Sequence, residues 1–262
     1  MSIFLHRSGL LRGAGDFVPP AFDPVSLFGG GEFGGLYDPS DLSTLWQDTA
    51  ATTPVTADGQ VVRRMDDLSG NANHMTEATN PPVYKTNGTL HWLLFDGSND
   101  RLSTSPGSTK VFSSSGGSLF VGYEITENNT LNSAIAEASE TTNFVRINIA
   151  GDTRTTPNRF SIYNPSGLNE TLDYSAKQDP DTRTAIITAG STTASGYKDG
   201  TLIDSGTARG GISTNVRIWL FYEPSPASYM TGKFYGGGAI DRELTSTEIS
   251  NLTTWMQGKA GL

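Results

Sequence analysis

Acidic residues are the first candidates for chemistry in this chain, and few of them have a spacing that suits catalysis. A retaining glycosidase needs two carboxyl groups about 5–5.5 Å apart, which on one β-strand means acids at i and i+2 or i and i+4. Asp241 and Glu243 have this spacing, but they directly precede a predicted helix, where acids favour the helix dipole. The other pairs are adjacent, three apart or placed around a proline: Asp66 with Asp67, Glu137 with Glu140, and Asp179 with Asp181. Carboxylates from different strands stay open, so a glycan hydrolase is kept as an alternative.

Other catalytic and cofactor motifs are absent from the sequence. The histidines are His6, His74 and His91, without H-x-x-x-H spacing, and the chain has no cysteine, no G-x-S-x-G turn and no P-loop. Phe28–Gly35 contains the spacing G-x-G-x-x-G, but prolines and further glycines surround it instead of a strand and a helix, which indicates a linker. We therefore predict a protein that is not an enzyme, without catalytic, cofactor-binding or metal-binding residues.

Asp96–Asp100 reads Asp-Gly-Ser-Asn-Asp and supports two interpretations. Its carboxylate and amide oxygens are the ligands that calcium prefers. The same residue types are those that a tight turn requires. We interpret the segment as a turn and predict no cofactor, with calcium left open at this loop.

Aromatic side chains are the candidates for sugar binding, because an aromatic ring stacks on the apolar face of a pyranose. Trp92 and Trp219 lie in strand-like segments, which predicts that they belong to the core. The remaining candidates lie after the N-terminal segment, in the C-terminal helix or near predicted strand ends: Trp46, Trp255, Tyr163, Tyr222 and Tyr229. The sequence does not choose among them.

The composition favours a β-rich domain. The chain has 262 residues, with 30 glycines, 13 prolines and 17% charged residues, against about 25% charged in average proteins. This composition disfavours coiled coils and long helices. The net charge of −9 argues against general binding to nucleic acid or anionic membranes, which uses basic clusters. The absence of cysteine excludes disulfide scaffolds and thiolate zinc sites.

Short segments with alternating apolar residues follow one another through most of the chain. In Leu119–Ile125 the apolar residues fall on one face at a period of two, and Tyr197–Leu202 is typical of a hairpin with an Asp-Gly turn. Further strands are predicted at Phe144–Ile149, Arg159–Tyr163, Arg183–Thr188 and Asn215–Tyr222. In the last of these, the pattern puts Phe221 on the face opposite Ile218, so burial of this strand on both faces stays open. We predict an all-β fold, a two-sheet antiparallel jelly-roll sandwich.

One helix is predicted near the C-terminus. Thr245 and Glu248 have the spacing of a capping box, which predicts the start of the helix. Ile249, Leu252 and Met256 share one helical face, so we expect the helix to cover part of the sandwich. Gly258 is the predicted stop.

Residues 1–35 have scattered apolar side chains, a Pro-Pro pair and a glycine-rich end, without any period. We interpret them as an N-terminal docking arm and linker that becomes ordered on a partner subunit, and residues 36–262 as the jelly-roll domain. Packing of the arm on its own domain is the alternative. Residues 1–13 lack the apolar stretch of a secretory signal, and the chain has no run of about 18 apolar residues.

Four segments occur in an order that is typical of one family. Asp67–His74 reads D-L-S-G-N-A-N-H, Leu94–Leu102 contains F-D-G-S-N-D-R-L, Tyr197–Gly200 is the hairpin, and Phe234–Met256 is the ending. Together they resemble the concanavalin A-like lectin/glucanase jelly rolls of the laminin-G-like type, and the resemblance implies that fold for residues 36–258. The glucanase branch carries closely spaced glutamates on one strand. This sequence lacks them, so the resemblance supplies no site.

Gly35–Asp48, continuing through Val55, is similar to the openings of bacteriophage and prophage proteins with such a domain. In those proteins a short N-terminal segment docks to the particle and the jelly roll faces outwards. The resemblance implies a virion-associated structural and adhesion protein (head or tail fibre, spike or decoration) that assembles in the host cytoplasm. Its expected partners are other virion proteins, further copies of itself and host surface polysaccharide, without nucleic acid or membrane insertion. A purely architectural cement protein is a further alternative.

Overall fold

The computed structural model describes residues 21–105, 116–125, 133–139, 146–151, 159–164, 168–173, 181–207, 217–224 and 227–262. Its helices are α1 (Ser246–Ala260) and the 3-10 turns Pro24–Phe28 and Leu42–Thr44. Its strands are β1 (Gly34–Tyr37), β2 (Leu45–Trp46), β3 (Arg64–Met65), β4 (Met75–Thr76), β5 (Val83–Thr86), β6 (His91–Asp96), β7 (Leu102–Thr104), β8 (Gly117–Ile125), β9 (Ser133–Ser139), β10 (Arg146–Gly151), β11 (Arg159–Asn164), β12 (Leu168–Asp173), β13 (Asp181–Ala189), β14 (Thr193–Lys198), β15 (Thr201–Thr207), β16 (Arg217–Leu220), β17 (Tyr222–Pro224), β18 (Ala227–Tyr229) and β19 (Thr231–Ile240).

Two antiparallel sheets pack face to face. Within the described ranges, the first sheet has eight strands in the order β15-β14-β13-β8-β19-β6-β5, with β1 paired to β19. The second has nine strands in the order β12-β11-β10-β9-β16-β7-β4-β3-β2, and β17 pairs with β18. Leu93 and Val121 from the first sheet meet Leu45 and Met75 from the second in one buried core. The predicted all-β two-sheet jelly-roll sandwich is confirmed.

The eight-stranded sheet is buried on both faces where α1 covers it. In β8, Leu119 and Val121 point into the core between the sheets, whereas Phe120 lies on the outer face beneath α1. The helix contributes the apolar face that the sequence predicts: Ile249, Leu252 and Met256. No helix in the described part of the chain is long and apolar enough to cross a membrane.

The start of α1 is confirmed and its predicted end is wrong. Thr245 Oγ1 accepts a hydrogen bond from the Glu248 amide at 3.3 Å, and the Glu248 carboxylate accepts one from the Thr245 amide at 2.8 Å, which is the predicted capping box. The helix passes through Gly258 and ends at Ala260. It ends there because Gly261, with φ of 76°, adopts the left-handed conformation that closes a helix C-terminus.

The predicted strand Asn215–Tyr222 is interrupted in the structure. β16 ends at Leu220 and β17 begins at Tyr222, because Phe221 between them has φ of 55°. This left-handed backbone breaks the alternation and brings the Phe221 ring into the core, where it stacks on Phe95 with ring centroids 4.4 Å apart. Phe221 therefore shares one core with Ile218, whereas the alternation put the two residues on opposite faces of the strand.

The other predicted strands are present with shifted ends. β8, β10, β11 and β13 cover the segments predicted at Leu119–Ile125, Phe144–Ile149, Arg159–Tyr163 and Arg183–Thr188. The first two residues of the predictions at 144–149 and 215–222 lie outside the described ranges. The hairpin is confirmed: it joins β14 to β15, and Asp199 and Gly200 have φ of 49° and 79°.

Residues 21–35 pack on the sandwich, whereas residues 1–20 lie outside the described ranges. Leu27 and Phe28 are buried in the apolar cluster beneath α1. β1 pairs with β19, with Gly34 opposite Ile240, and so it crosses the predicted boundary at residue 35. Packing on the chain's own domain, the alternative for the arm, therefore describes residues 21–35. The division into a docking arm and a domain stays a prediction.

The family motif Asp67–His74 holds β1 against the sandwich. The Asp67 carboxylate accepts a hydrogen bond from the Leu36 amide at 2.9 Å. The Asn73 side-chain amide donates to the Gly34 carbonyl. These residues therefore have a structural role, since they satisfy backbone groups of the first strand.

Candidate functional site

The helix pocket is a depression of about 750 Å³ between α1, the β5–β6 hairpin, the loop after β1 and the first described residues. Its walls carry both rings and hydrogen-bonding groups, a combination that suits a ligand with apolar faces and hydroxyl groups. The lining residues are Ala21, Phe22, Ser40, Thr89, Leu90, His91, Asn251, Thr254, Trp255, Gly258 and Lys259.

Trp255 is held in place by the strand beneath it and by the next turn of its own helix. Its indole lies against Gly236 of β19, where a Cβ atom would be 3.0 Å from the ring. The Lys259 ammonium lies 5.7 Å from the indole centroid. Asp38 and Ser40 each contact this ammonium at 2.6 Å. The indole is therefore fixed, and the charge of Lys259 is neutralised at the pocket wall.

His91 and Asn251 supply hydrogen-bonding groups to the helix pocket. The His91 Nδ1 atom lies 2.6 Å from the Tyr84 hydroxyl, which fixes the imidazole and leaves Nε2 as its second hydrogen-bonding atom. The Asn251 side-chain amide makes no hydrogen bond with any residue that the structure describes. It therefore offers both a donor and an acceptor to a ligand.

The sheet groove is a second depression, of about 550 Å³, on the outer face of the nine-stranded sheet. The groove is polar because side chains alternate along its strands. Met75 of β4 and Leu102 of β7 face the core. The next residue on each strand, Thr76 and Ser103, faces outwards, and the two are paired across the strands. The lining residues are Thr49, Thr76, Glu77, Ala78, Arg101, Ser103, Thr104, Ser105, Arg217 and Tyr222.

Arg101 is fixed in the sheet groove by three partners. Its Nε donates to Glu77 Oε2 at 2.6 Å, and its Nη1 donates to the Tyr229 hydroxyl at 3.3 Å. The guanidinium carbon lies 5.4 Å from the centroid of the Tyr222 ring. The rings of Tyr222 and Tyr229 are 5.0 Å apart, so the two tyrosines form one aromatic pair beside the guanidinium.

Glu77 is an ion-pair partner held in its charged form. Its side chain is 9% exposed, and its Oε1 accepts hydrogen bonds from the amides of Thr79 at 2.9 Å and Asn80 at 3.3 Å. Burial raises the pKa of Glu77, but these hydrogen bonds and the Arg101 charge outweigh it and hold the pKa below its usual range. Glu77 is the one carboxylate among the described lining residues of the groove.

The acids considered for catalysis are placed outside both depressions where the structure describes them. Asp66 accepts from Arg64 Nε at 2.6 Å, and Asp241 accepts from the Phe33 amide at 3.0 Å. Glu140 and Asp179 lie outside the described residues, as does the side chain of Glu137.

The structure separates the aromatic candidates. Tyr222 and Tyr229 come together at the sheet groove, and Trp255 lines the helix pocket. Trp46 donates from Nε1 to Asp66 Oδ2 at 2.7 Å, in a network beside β3. The side chains of Tyr163 and Trp219 lie outside what the structure describes.

The expectation that Trp92 belongs to the core is wrong. Leu93 and Phe95 are the residues of β6 that face the core, so alternation puts Trp92 on the outer face of the eight-stranded sheet. There its ring centroid is 6.1 Å from that of Tyr235, and the Lys233 ammonium is 5.2 Å from the indole.

Sequence reasoning missed Arg101, Glu77 and Lys259 as site residues. Glu77 and Arg101 are 24 positions apart, and Lys259 is 219 positions from Ser40, so no local spacing joins these partners. Only the pairing of distant strands and the docking of α1 bring them together.

Asp96–Asp100 forms a turn. Asp96 Oδ1 accepts from the amides of Ser98 at 2.8 Å and Asn99 at 3.2 Å, and Asp100 Oδ2 accepts from the Asp96 amide at 3.1 Å. Burial and the Asp96 charge raise the pKa of Asp100 to about 6. Within the described ranges, no group of three or more histidine and acidic side chains is arranged to hold a metal ion. Calcium at this loop stays an open expectation.

Comparison with known proteins gives similar structures but no similar sequence. No family model matches the chain, and no curated protein matches it. A mutant GH54 α-L-arabinofuranosidase soaked with 4-nitrophenyl α-L-arabinofuranoside matches with a TM-score of 0.63 and 14% identity, over 91% of this chain and 66% of that chain. Domain 4 of AbnA, a GH43 extracellular arabinanase from Geobacillus stearothermophilus, in complex with arabinotriose, matches with a TM-score of 0.56 and 13% identity, over 84% and 97%.

A toxin domain has the same architecture. The binding domain of Paraclostridial Mosquitocidal Protein 1 matches with a TM-score of 0.56 and 13% identity, over 75% of this chain and 50% of that chain. This chain therefore spans about half the length of the toxin domain. At 13–14% identity, these matches show that the chains have a similar fold, which is the two-sheet β-sandwich.

Proposed function

We propose that this protein is a glycan-binding module and that the helix pocket holds the saccharide. The observation that carries the proposal is Trp255, an indole held in one orientation at the wall of a 750 Å³ depression that also presents Asn251 and His91. An aromatic ring packs on the apolar face of a sugar ring, while amide and imidazole groups bind its hydroxyls. The matched arabinanase domain was solved with arabinotriose, which supports a saccharide as the ligand class.

The proposed binding is noncovalent and suits a neutral saccharide. Lys259 is already paired with Asp38, so the pocket wall carries no excess charge from this side chain. Binding at one such pocket is expected to be weak. Many copies on one particle would raise the overall affinity through avidity.

The module is further proposed to act on the virion of a tailed phage or phage-like particle, as a structural and adhesion protein. The similarity of Gly35–Val55 to phage protein openings supports this context. Residues 1–20 are the proposed attachment to other virion proteins, because residues 21–35 already pack on the sandwich. Removal of residues 1–20 should leave saccharide binding unchanged and abolish co-sedimentation with the particle. Retained co-sedimentation would contradict the proposed anchor.

Isothermal titration with arabinotriose and a panel of neutral hexose oligosaccharides tests the helix pocket. Trp255→Ala removes the stacking surface and is expected to weaken binding about tenfold, which corresponds to about 1.4 kcal/mol. Trp255→Phe should weaken it less. Trp46→Phe is the matched control, because Trp46 lies in the Asp66 network outside the pocket. Equal losses for Trp46→Phe and Trp255→Ala, or no binding by the wild type, would overturn the assignment.

The module is proposed to act without catalysis. Glycoside hydrolysis uses two carboxyl groups, whereas the described lining residues of the sheet groove include one, Glu77, which is paired with Arg101. Incubation with capsule or cell-wall polysaccharide should therefore release no new reducing ends. Release of such ends by the wild-type protein would instead favour the hydrolase alternative.

A further inference from the structure

We propose that the sheet groove is a second binding site, which takes a carboxylate-bearing saccharide with Arg101 as its anion-binding residue. The inference goes beyond the proposed function, because it concerns a different face of the sandwich and does not require ligand binding in the helix pocket. Three features of the groove carry it: a fixed guanidinium with an open edge, a second guanidinium beside it, and a wall of hydroxyl groups.

The first feature is the geometry of Arg101. Its Nε is used by Glu77 and its Nη1 by Tyr229, whereas its Nη2 makes no hydrogen bond with a described residue. The side chain lines the groove and is 30% exposed, so it is within reach of a ligand there. A planar guanidinium that is already oriented loses little conformational freedom when it binds, and its fork of donors matches a carboxylate.

The second feature is Arg217, whose side chain lines the same depression as Arg101. Burial and, after it, the charge of Arg101 lower the pKa of Arg217. Each of the two guanidinium groups attracts a carboxylate. The groove thus brings two cationic side chains together in a chain whose net charge is −9.

The third feature favours a saccharide over a small free anion. The groove has a volume of about 550 Å³, which is within the range of about 300–1,000 Å³ typical of small-molecule sites. Thr49, Thr76 and Ser103 line it with hydroxyl groups. These groups can hydrogen-bond the hydroxyls of a sugar whose carboxylate lies at Arg101.

Titration with trigalacturonate, with neutral trigalactose and with inorganic phosphate tests the inference on the full chain. The acidic trisaccharide should bind about tenfold more tightly than either of the other two probes. Its affinity should fall as sodium chloride is raised, since the interaction is ionic. Equal affinity for trigalactose would overturn the role of the carboxylate. Equal affinity for phosphate would overturn the saccharide.

Matched variants distinguish this site from general charge and from the helix pocket. Arg101→Gln should weaken trigalacturonate binding about tenfold, and Arg101→Lys should recover only part of the loss because it lacks the fork. Arg64→Gln is the charge-matched control on the neighbouring strand, where Arg64 is paired with Asp66. Trp255→Ala should leave trigalacturonate binding unchanged. A loss in Arg64→Gln equal to that in Arg101→Gln would contradict the assignment.

A wild-type measurement keeps the test independent of whether Arg101→Gln folds. Amide resonances of Thr76 and Ser103, which face the groove, should shift on addition of trigalacturonate. Resonances of Asn251 and Trp255 should not shift. The reverse pattern would place the acidic saccharide in the helix pocket and overturn the inference, while the proposed glycan binding at that pocket would stand.

Discussion

The helix pocket and the sheet groove use similar aromatic and hydroxyl side chains, but they differ in the charged side chains that line them. In the helix pocket, Lys259 is neutralised by Asp38. In the sheet groove, the described lining residues include two guanidinium groups, Arg101 and Arg217, and the single carboxylate of Glu77. Under the two proposals, the rings would provide a surface for a sugar at each depression, while the guanidinium groups of the groove would favour a sugar that carries a carboxylate.

The two sites also differ in what holds them together. The helix pocket exists because α1 docks on the eight-stranded sheet through its buried face. The sheet groove rests on the pairing of β4, β7 and β16, which is independent of α1. A change that loosens α1 should therefore affect one site and spare the other.

Leu252→Ala is expected to have the largest effect and to separate the two sites. Leu252 is 0% exposed in the cluster beneath α1, and removal of such a buried side chain lowers the free energy of unfolding by about 3 kcal/mol. Binding of neutral saccharide should weaken with it, whereas binding of trigalacturonate should not. Chemical denaturation and titration of both ligands measure these effects.

The control for this prediction is Ser250→Ala, at an exposed position two residues earlier on the same helix. It should change the unfolding free energy by less than about 0.5 kcal/mol. Equal weakening of both ligands by Leu252→Ala would show that the sites are not independent.

Local features of the sequence are what made the fold predictable. The alternation in Leu119–Ile125, the Asp-Gly turn at Asp199 and the capping box at Thr245 each depend on residues close in the chain, and each is confirmed. The alternation put Phe221 on the face opposite Ile218, but its left-handed backbone turns the ring into the same core, where it stacks on Phe95 in a tertiary contact. The alternation of apolar residues in a strand does not reveal a position at which the backbone turns a side chain to the other face.

The sites were less predictable because their key contacts join distant segments. Trp255 is visible in the sequence as an aromatic residue, but the contacts that orient it come from Gly236 and Lys259, and the latter is fixed by Asp38. The sequence also cannot distinguish Trp255 from Trp46, whose indole is used in a structural hydrogen bond. What distinguishes them is the set of partners, and this is a property of the folded chain.

Glu77→Gln should have the next largest effect, and it acts at the groove alone. The substitution removes the charge partner of Arg101 but keeps an oxygen for the amides of Thr79 and Asn80, so a loss of about 1–2 kcal/mol in unfolding free energy is expected. Trigalacturonate binding should also weaken, because Arg101 loses the partner that orients it. Neutral saccharide binding should be unchanged.

The ion pair of Glu77 with Arg101 should stabilise the fold at neutral pH and lose this contribution in acid. The pKa of Glu77 is lowered in the folded state, so its contribution to stability is present above the ordinary pKa of 4.5 and is lost as the pH falls below that value. The wild type and Glu77→Gln should therefore converge in stability under acid conditions. Lys85→Gln is the control, since it breaks the more exposed pair with Asp58 and should cost less stability than Glu77→Gln. A larger loss in Lys85→Gln would contradict the role of burial at Glu77.

Asp100→Asn is expected to have the smallest effect. It should raise the unfolding free energy at neutral pH, whereas Leu252→Ala and Glu77→Gln should lower it. The pKa of Asp100 is raised to about 6 by burial and by the charge of Asp96, so as the pH rises from about 4 to 6 the unfolded chain ionises first and the folded state loses stability. Above pH 6 this loss of unfolding free energy no longer changes with pH. Because Asn carries no charge, Asp100→Asn should recover about 1 kcal/mol of it, after allowance for solvent screening. Thermal unfolding at pH 7.5 should thus show a more stable variant, with little difference at about pH 3, where the carboxyl group is mostly protonated in both the folded and the unfolded chain. A variant that is less stable at pH 7.5 would show that the Asp100 carboxylate, which accepts the Asp96 amide, stabilises the turn in its charged form. The turn at Asp96–Asp100 would then resemble the start of α1, where hydrogen bonds from Arg242 lower the pKa of Glu248 to about 2.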